Sequence, residues 1–132
     1  MSKRILVVDD DTGIQETLQA VLESEDYEVV VADDGLVALE KLSIAMPDLI
    51  LLDLMMPRMD GYAFASELER RGLRSSVSVV VLSADGRTKL KAERIGADGY
   101  LEKPFELPDL LDEIERCTSI GRHILKPAAD VP

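Results

Sequence analysis

The chain has 132 residues, 46% of them hydrophobic and 31% charged, a balance typical of a single soluble globular domain. The formal net charge of -11 disfavours nucleic acid and anionic membrane surfaces as partners. The single cysteine, Cys117, excludes an internal disulfide and favours a reducing, cytoplasmic location, and no apolar run approaches the roughly 20 residues that span a bilayer.

Apolar runs and helical patterns alternate along the chain. Strands are predicted at Ile5–Val8, Val29–Ala32, Leu49–Leu52, Val77 with Val79–Leu82, and Gly99–Leu101. An amphipathic helical pattern follows each strand, and the fourth, roughly Arg87 to Ile95, is the most polar. A strand followed by a helix five times predicts a parallel sheet with helices on both faces.

The first helix illustrates the pattern. Thr12 can cap its N-terminus, and its predicted inner face contains Ile14, Leu18, Val21 and Leu22. The predicted outer face contains Gln15, Glu16, Gln19 and Glu23. The fourth helix has few apolar residues to pack, so we expect it to be the loosest of the five.

Polar side chains follow four of the predicted strands. They are Asp9 and Asp10 after the first, Asp53 after the third, Ser83 after the fourth and Lys103 just past the fifth. In open α/β sheets, ligands bind at the carboxyl ends of the strands, close to the point where the strand order reverses. We therefore expect these five residues to lie along one edge of the sheet.

Three carboxylates at one edge repel each other. Two unit charges about 5 Å apart repel by about 3 kcal/mol at an effective dielectric near 20. Either one acid holds a proton or a cation lies among them, and oxygen ligands without nearby His or Cys favour Mg²⁺. With the Lys103 charge and the Ser83 hydroxyl, the set matches what phosphoryl transfer to a carboxylate requires.

Ordinary structural roles account for the remaining acids. A lone aspartate after a strand is usually a helix cap or a loop residue, and we interpret Asp11, Asp33, Asp34 and Asp60 in that way. Taken alone, Ser83 would be a cap for the fourth helix, Lys103 a turn residue and Tyr100 a half-buried aromatic. The joint placement of the acids, Ser83 and Lys103 at four strand ends favours the functional interpretation.

Four stretches of the sequence resemble the receiver domain of two-component response regulators. They are Val7–Asp10 (VVDD), Leu52–Gly61 (LDLMMPRMDG), Leu82–Ala84 (LSA) and Gly96–Phe105 (GADGYLEKPF). The resemblance spans about Lys3 to Cys117, nearly the whole chain. It implies a flavodoxin-like fold, a (βα)5 doubly wound parallel sheet with strand order 2-1-3-4-5 in a single domain.

The resemblance also assigns the phosphoryl acceptor and a metal site. Asp53 would accept a phosphoryl group from the phosphohistidine of a sensor histidine kinase or a histidine phosphotransfer protein. Asp9, Asp10, Asp53 and the backbone carbonyl of Met55 would bind Mg²⁺. The chain would thus be a signalling switch that catalyses only its own phosphorylation and dephosphorylation, not an enzyme with a separate substrate.

Three further residues carry the switch in the family. Lys103 would pair with the phosphoryl oxygens, and its peptide bond to Pro104 is expected to be cis. Ser83 would hydrogen-bond the phosphoryl group, and Tyr100 would swing inward behind it. The surface of the fourth helix, fifth strand and fifth helix would then change and control a downstream protein effector.

The domain expectations follow from the same resemblance. Residues 1–117 would form the receiver and residues 118–132 a short C-terminal tail, with His123 at its surface and no effector domain. The sequence is then either a single-domain regulator that acts by protein contact or the excised receiver of a larger protein. The fifth helix lacks the basic dimerisation pattern of one winged-helix transcription-factor group. We therefore expect a monomer or a weak dimer without direct contact with nucleic acid or membrane.

Three alternatives remain open. A docking or adaptor module could use the same fold without being phosphorylated. A flavin electron carrier would need a hydroxyl- and glycine-rich phosphate loop after the first strand, whereas Asp9–Gly13 would repel phosphate. A carboxylate-nucleophile phosphatase usually has a second acid two residues after the nucleophile, and Met55 occupies that position.

Overall fold

The computed structural model describes residues 2–56, 58–84 and 86–119. Within them the strands are β1 (Arg4–Val8), β2 (Glu28–Ala32), β3 (Leu49–Asp53), β4 (Ser78–Ser83) and β5 (Gly99–Glu102). The α-helices are α1 (Thr12–Ser24), α2 (Gly35–Ile44), α3 (Gly61–Arg70), α4 (Thr88–Arg94) and α5 (Leu107–Ser119). A 3-10 turn, Arg74–Ser76, precedes β4.

The strands form one parallel sheet in the order β2-β1-β3-β4-β5. Ile5 of β1 pairs with Val29 of β2 on one side and with Leu49 of β3 on the other. The chain moves outward from β1 to β2 and then returns past β1 to β3, so the strand order reverses between β1 and β3. The predicted flavodoxin-like fold with strand order 2-1-3-4-5 is confirmed.

The core lies on both faces of the sheet. Helices α2, α3 and α4 cover one face through Leu39, Phe64 and Ala92 among others, and α1 and α5 cover the other through Leu18 and Ile114. Every residue of β3 and β4 is buried, as expected for central strands of a sheet covered on both sides. An unpaired charge within this apolar interior would be costly. The single acid of β3, Asp53, accordingly stands at the last position of the strand.

Three of the acids interpreted as caps do begin helices. The side chains of Asp11, Asp34 and Asp60 accept hydrogen bonds from backbone N–H groups of the first turns of α1, α2 and α3. The prediction that Thr12 caps the first helix is therefore wrong, because Asp11 occupies the N-cap position and Thr12 is the first helical residue.

Helix α5 runs through Ser119 and so extends two residues past the predicted domain boundary at 117. Of the predicted tail, the residues from 120 onward, including His123, lie outside the described residues. Helix α4 has seven residues, of which Thr88 and Ala92 are buried, so few of its side chains pack against the core. None of the helices in the described ranges has the length and apolar character needed to cross a membrane.

Candidate functional site

Three carboxylates meet at the carboxyl ends of β1 and β3. Asp9 follows β1 directly and is fully buried, Asp10 is exposed, and Asp53 ends β3 with only 6% of its surface accessible. One carboxylate oxygen from each residue lies within 4.8 Å of the other two. The sequence prediction that these three acids come together is borne out by this geometry.

Lys103 is the cation beside these acids. It follows β5, and its Nζ lies 2.9 Å from Asp9 Oδ2 and 3.6 Å from Asp53 Oδ2. The second oxygen of Asp9, Oδ1, accepts a hydrogen bond of 2.9 Å from the backbone N–H of Asp11. The peptide bond between Lys103 and Pro104 is cis, as the resemblance implied.

The pKa values of both Asp53 and Lys103 are raised, but for different reasons. Burial, assisted by the carboxylates of Asp9 and Asp10, raises the pKa of Asp53 to about 6, although Lys103 and the N–H of Met55 act against the increase. Burial also disfavours the charged form of Lys103, but the hydrogen bond to Asp9 and the nearby carboxylates outweigh it and raise the pKa of Lys103. The ammonium group is therefore held charged beside acids that it does not fully neutralise.

Ser83 connects the site to two other elements through its backbone. It ends β4 and is buried, and its carbonyl oxygen accepts a hydrogen bond of 2.7 Å from the N–H of Lys103. The same carbonyl accepts a 3.4 Å hydrogen bond from the hydroxyl of Thr88, the first residue of α4. A displacement of Ser83 would therefore act directly on the start of α4 and the end of β5.

Met55 lies next to the acceptor aspartate, and Tyr100 lies in the edge strand β5. The N–H of Met55 donates a 3.1 Å hydrogen bond to Asp53 Oδ1, and 66% of the residue is exposed. Tyr100 is 39% exposed, so its ring is at the surface in this structure and not packed in the core. The assignment of the Met55 carbonyl as a ligand and of Tyr100 as a switch residue stays a prediction.

Gln15 is the residue that sequence reasoning misplaced. It was expected on the outer face of the first helix, but it is buried and its amide nitrogen donates to the carbonyl of Asp9 and, at 2.8 Å, to the carboxylate of Asp33. These partners satisfy the amide and allow its burial. The available signal was spacing, since Gln15 stands three and seven residues before Leu18 and Leu22 and so shares their face.

The donor set fits a hard divalent cation. Asp9, Asp10 and Asp53 supply oxygen atoms only, which suits Mg²⁺ bound through a few carboxylates. Burial is the main cause of the raised pKa of Asp53, and repulsion by the carboxylates of Asp9 and Asp10 adds to it. A cation bound to this cluster would relieve that repulsion.

Two curated relatives match most of this chain. Response regulator MprA of Mycobacterium tuberculosis is 42% identical over 113 residues, which cover 84% of this chain and 48% of the relative. The alkaline phosphatase synthesis transcriptional regulatory protein PhoP of Bacillus subtilis is 39% identical over 105 residues, which cover 80% of this chain and 44% of the relative. The chain thus spans about half the length of these relatives.

Solved structures show the same architecture. The chemotaxis protein CheY4 of Vibrio cholerae has a TM-score of 0.80 at 30% identity, covering 88% of this chain and 98% of its own. The response regulator TrrA of Thermotoga maritima, solved in complex with Mg(2+)-BeF, has a TM-score of 0.77 at 32% identity, covering 86% and 97%. The sequence model of the response regulator receiver domain matches residues 5–115. The chain therefore belongs to the response regulator receiver domain family.

Proposed function

We propose that this receiver is a phospho-acceptor switch in which Asp53 takes a phosphoryl group from the phosphohistidine of a sensor histidine kinase or histidine phosphotransfer protein. The observation that carries the proposal is the cluster of Asp9, Asp10 and Asp53, with oxygens within 4.8 Å of one another and Lys103 alongside. A structural cluster would be expected to balance its charges, whereas this one has three acids and one described cation in contact with them.

The residues have distinct chemical roles in this proposal. The ionised Asp53 carboxylate attacks phosphorus, a P–O bond forms, and the P–N bond breaks with its electron pair returning to the imidazole of the donor. Mg²⁺ bound by Asp9, Asp10, Asp53 and the Met55 carbonyl would neutralise charge on the phosphoryl oxygens. Lys103 would pair with one of those oxygens, and the Ser83 hydroxyl would donate a hydrogen bond to another.

The output of the switch would pass through Ser83. A phosphoryl group adds a charge of about -2 at Asp53. Ser83 would move toward it, and its carbonyl is bonded to Thr88 at the start of α4 and to Lys103 after β5. The proposed result is a changed surface of α4, β5 and α5, including an inward turn of Tyr100, that a downstream protein effector reads.

The test is phosphoryl transfer from acetyl phosphate with and without Mg²⁺. We expect intact-mass spectrometry to find one added phosphoryl group on the wild-type chain with Mg²⁺, and none on Asp53→Asn or after chelation with EDTA. Asp60→Asn is the matched control, because it removes an acid from the same loop while keeping a good N-cap for α3. Unchanged acceptance by Asp53→Asn would discard the assignment, and no acceptance by the wild type would favour a docking module.

The remaining expectations concern the surroundings of the switch. PhoP is named as a transcriptional regulatory protein, and this chain matches less than half of it. We propose that the receiver itself acts by protein contact, as a monomer or weak dimer, without touching nucleic acid or membrane. The cytoplasmic location also stays a prediction.

A further inference from the structure

In the loop between β3 and α3, Arg58 and Met59 are attached to the segment that follows β2. The carbonyl of Met59 accepts a 3.1 Å hydrogen bond from the N–H of Gly35, and the guanidinium of Arg58 donates to Asp34 Oδ2. We call these four residues, Asp34, Gly35, Arg58 and Met59, the loop clasp. The same loop carries Met55, whose backbone carbonyl is a proposed metal ligand.

The ion pair of the loop clasp differs from a surface ion pair because the Asp34 carboxylate is buried. Its side chain is 1% exposed, whereas that of Arg58 is 61% exposed. Asp34 Oδ1 accepts hydrogen bonds of 2.9 and 3.0 Å from the N–H groups of Leu36 and Val37, so its other oxygen faces Arg58. Burial opposes ionisation of Asp34, but the N–H of Val37 and the charge of Arg58 outweigh it and lower the pKa of this carboxyl.

The backbone at Arg58 and Gly35 shows how closely the two segments approach. A Cβ at Gly35 would lie 2.7 Å from Met59 Cγ and 2.9 Å from the Met59 carbonyl oxygen, so only glycine fits there. Arg58 has φ +61, a left-handed conformation that strains a residue with a Cβ. The ion pair with Asp34 is a contact that a glycine at this position could not make.

The clasp also connects to the opposite side of the acid cluster. Asp33, adjacent to Asp34, accepts the amide of Gln15, and that amide donates to the carbonyl of Asp9. One series of contacts therefore runs from the backbone of Asp9, through α1 and the end of β2, to the loop that carries Met55. These contacts surround the three carboxylates without including the carboxylate oxygens of the cluster.

We propose that Arg58 is a positioning residue for the metal site: by holding the loop against Asp34, it places the Met55 carbonyl beside Asp9, Asp10 and Asp53. Arg58 touches none of these groups itself. This inference rests on the proposed function, because it assumes that Mg²⁺ binds at the cluster. Outer contacts of this kind typically change metal affinity by about 10- to 100-fold when they are removed.

The variant Arg58→Met distinguishes two effects of Arg58 on Mg²⁺ affinity: placement of the Met55 carbonyl and repulsion of the cation by a nearby positive charge. Loss of a cation near an acidic site should tighten Mg²⁺ binding, because repulsion is removed. Loss of positioning should weaken it, and we expect a dissociation constant about tenfold larger. Arg70→Met is the matched control, since it removes the same charge from an exposed pair with Glu67 on α3. We expect that control to bind Mg²⁺ as the wild type does or slightly more tightly.

The measurements are calorimetric titration of the full chain with MgCl₂ and amide hydrogen exchange of Gly35 in EDTA. In Arg58→Met the Gly35 amide should exchange faster without any metal, because its acceptor on Met59 is less firmly held. Arg58→Lys keeps the charge but not the forked donors, so its affinity should lie between those of the wild type and Arg58→Met.

The inference fails if Arg58→Met binds Mg²⁺ as tightly as the wild type, if Arg70→Met weakens binding equally, or if Gly35 exchange is unchanged. Absence of Mg²⁺ binding by the wild type would instead remove the proposed function. The exchange of Gly35 would still report on the clasp, so the two failures are distinguishable.

Discussion

Buried acids lie at both ends of the sheet, and their surroundings differ in one respect. At the amino end, the side chain of Asp98 is 1% exposed and pairs at 3.3 Å with Arg74, which is itself 8% exposed. At the carboxyl end, Asp9 and Asp53 are buried beside exposed Asp10, with Lys103 between them. One end matches an acid with a cation, and the other gathers more acids than cations.

The contrast separates a structural acid from a functional one. Asp98 Oδ2 also accepts a 2.8 Å hydrogen bond from the N–H of Val79, and Arg74 donates to the carbonyls of Val77 and Gly96. These contacts join the start of β4 to the start of β5.

The carboxylates at the other end accept hydrogen bonds from Lys103 and from the N–H groups of Asp11 and Met55, but they outnumber the described cation in contact with them. A bound cation would reduce the repulsion that remains among them. Removing the Arg74 cation at the amino end should therefore destabilise the fold. Removing the Asp53 carboxylate at the carboxyl end should stabilise it.

The largest expected effect is at the amino end. Arg74→Met leaves Asp98 buried without this cation, and breaking a buried pair in this way typically costs about 3 to 5 kcal/mol. The free energy of unfolding, measured by urea denaturation, should fall by that amount. Arg70→Met, which breaks a solvent-exposed pair, should lower the free energy of unfolding far less. If Arg74→Met and Arg70→Met lower the free energy of unfolding equally, the buried pair contributes no more to stability than the exposed one.

At the carboxyl end the sign reverses. Asp53→Asn removes a carboxylate whose pKa is raised first by burial and then by the carboxylates of Asp9 and Asp10, to about 6 against 3.8. The increase corresponds to about 3 kcal/mol of unfavourable ionisation at neutral pH. We expect the variant to be more stable than the wild type by about 1 to 3 kcal/mol in EDTA at pH 7. Addition of Mg²⁺ should stabilise the wild type more than the variant. A destabilised variant in EDTA would contradict the view that this cluster is under-neutralised.

Most of the carboxyl end could be predicted from the sequence, and most of the amino end could not. The acids follow apolar runs directly, so the position of Asp53 after Leu49–Leu52 indicates both the strand and its end. Arg74 and Asp98 are 24 residues apart in segments without a periodic pattern, and only the packed structure brings them together. Arg58 was missed for the same reason, since its role depends on Asp34 from another element. The burial of Gln15 could have been predicted from its spacing to Leu18 and Leu22, but its bond to Asp33 could not.

The pH dependence of the same pair of proteins sharpens the comparison. Because the folded pKa of Asp53 is raised, the folded state holds more protons than the unfolded state between about pH 4 and 6. The contribution of Asp53 to stability therefore falls as the pH rises through that range. The stability difference between Asp53→Asn and the wild type should be small at pH 4 and reach its full value above pH 7, measured in EDTA. Other groups, such as Asp34, titrate in both proteins and cancel in the difference, so a constant difference would contradict the assignment.

Cys117 reports on the amino end, because its backbone carbonyl accepts a 3.0 Å hydrogen bond from the hydroxyl of Ser78 there. Burial raises the pKa of its thiol from 9.0 to about 11, which lowers the thiolate fraction about a hundredfold. We expect Ellman's reagent at pH 8 to react with the native chain at least about a hundredfold more slowly than with the chain in guanidinium.

Acetyl phosphate with Mg²⁺ should leave that rate unchanged, because the paired charges of Arg74 and Asp98 and the Ser78–Cys117 contact lie at the end of the sheet opposite Asp53. An increase on phosphorylation would mean that the amino end opens as well. The two ends would then be coupled through β4, which begins at Ser78 and ends at Ser83. An unchanged rate of the Cys117 reaction would mean that phosphorylation alters only the carboxyl end of the sheet, where the acids outnumber the cations.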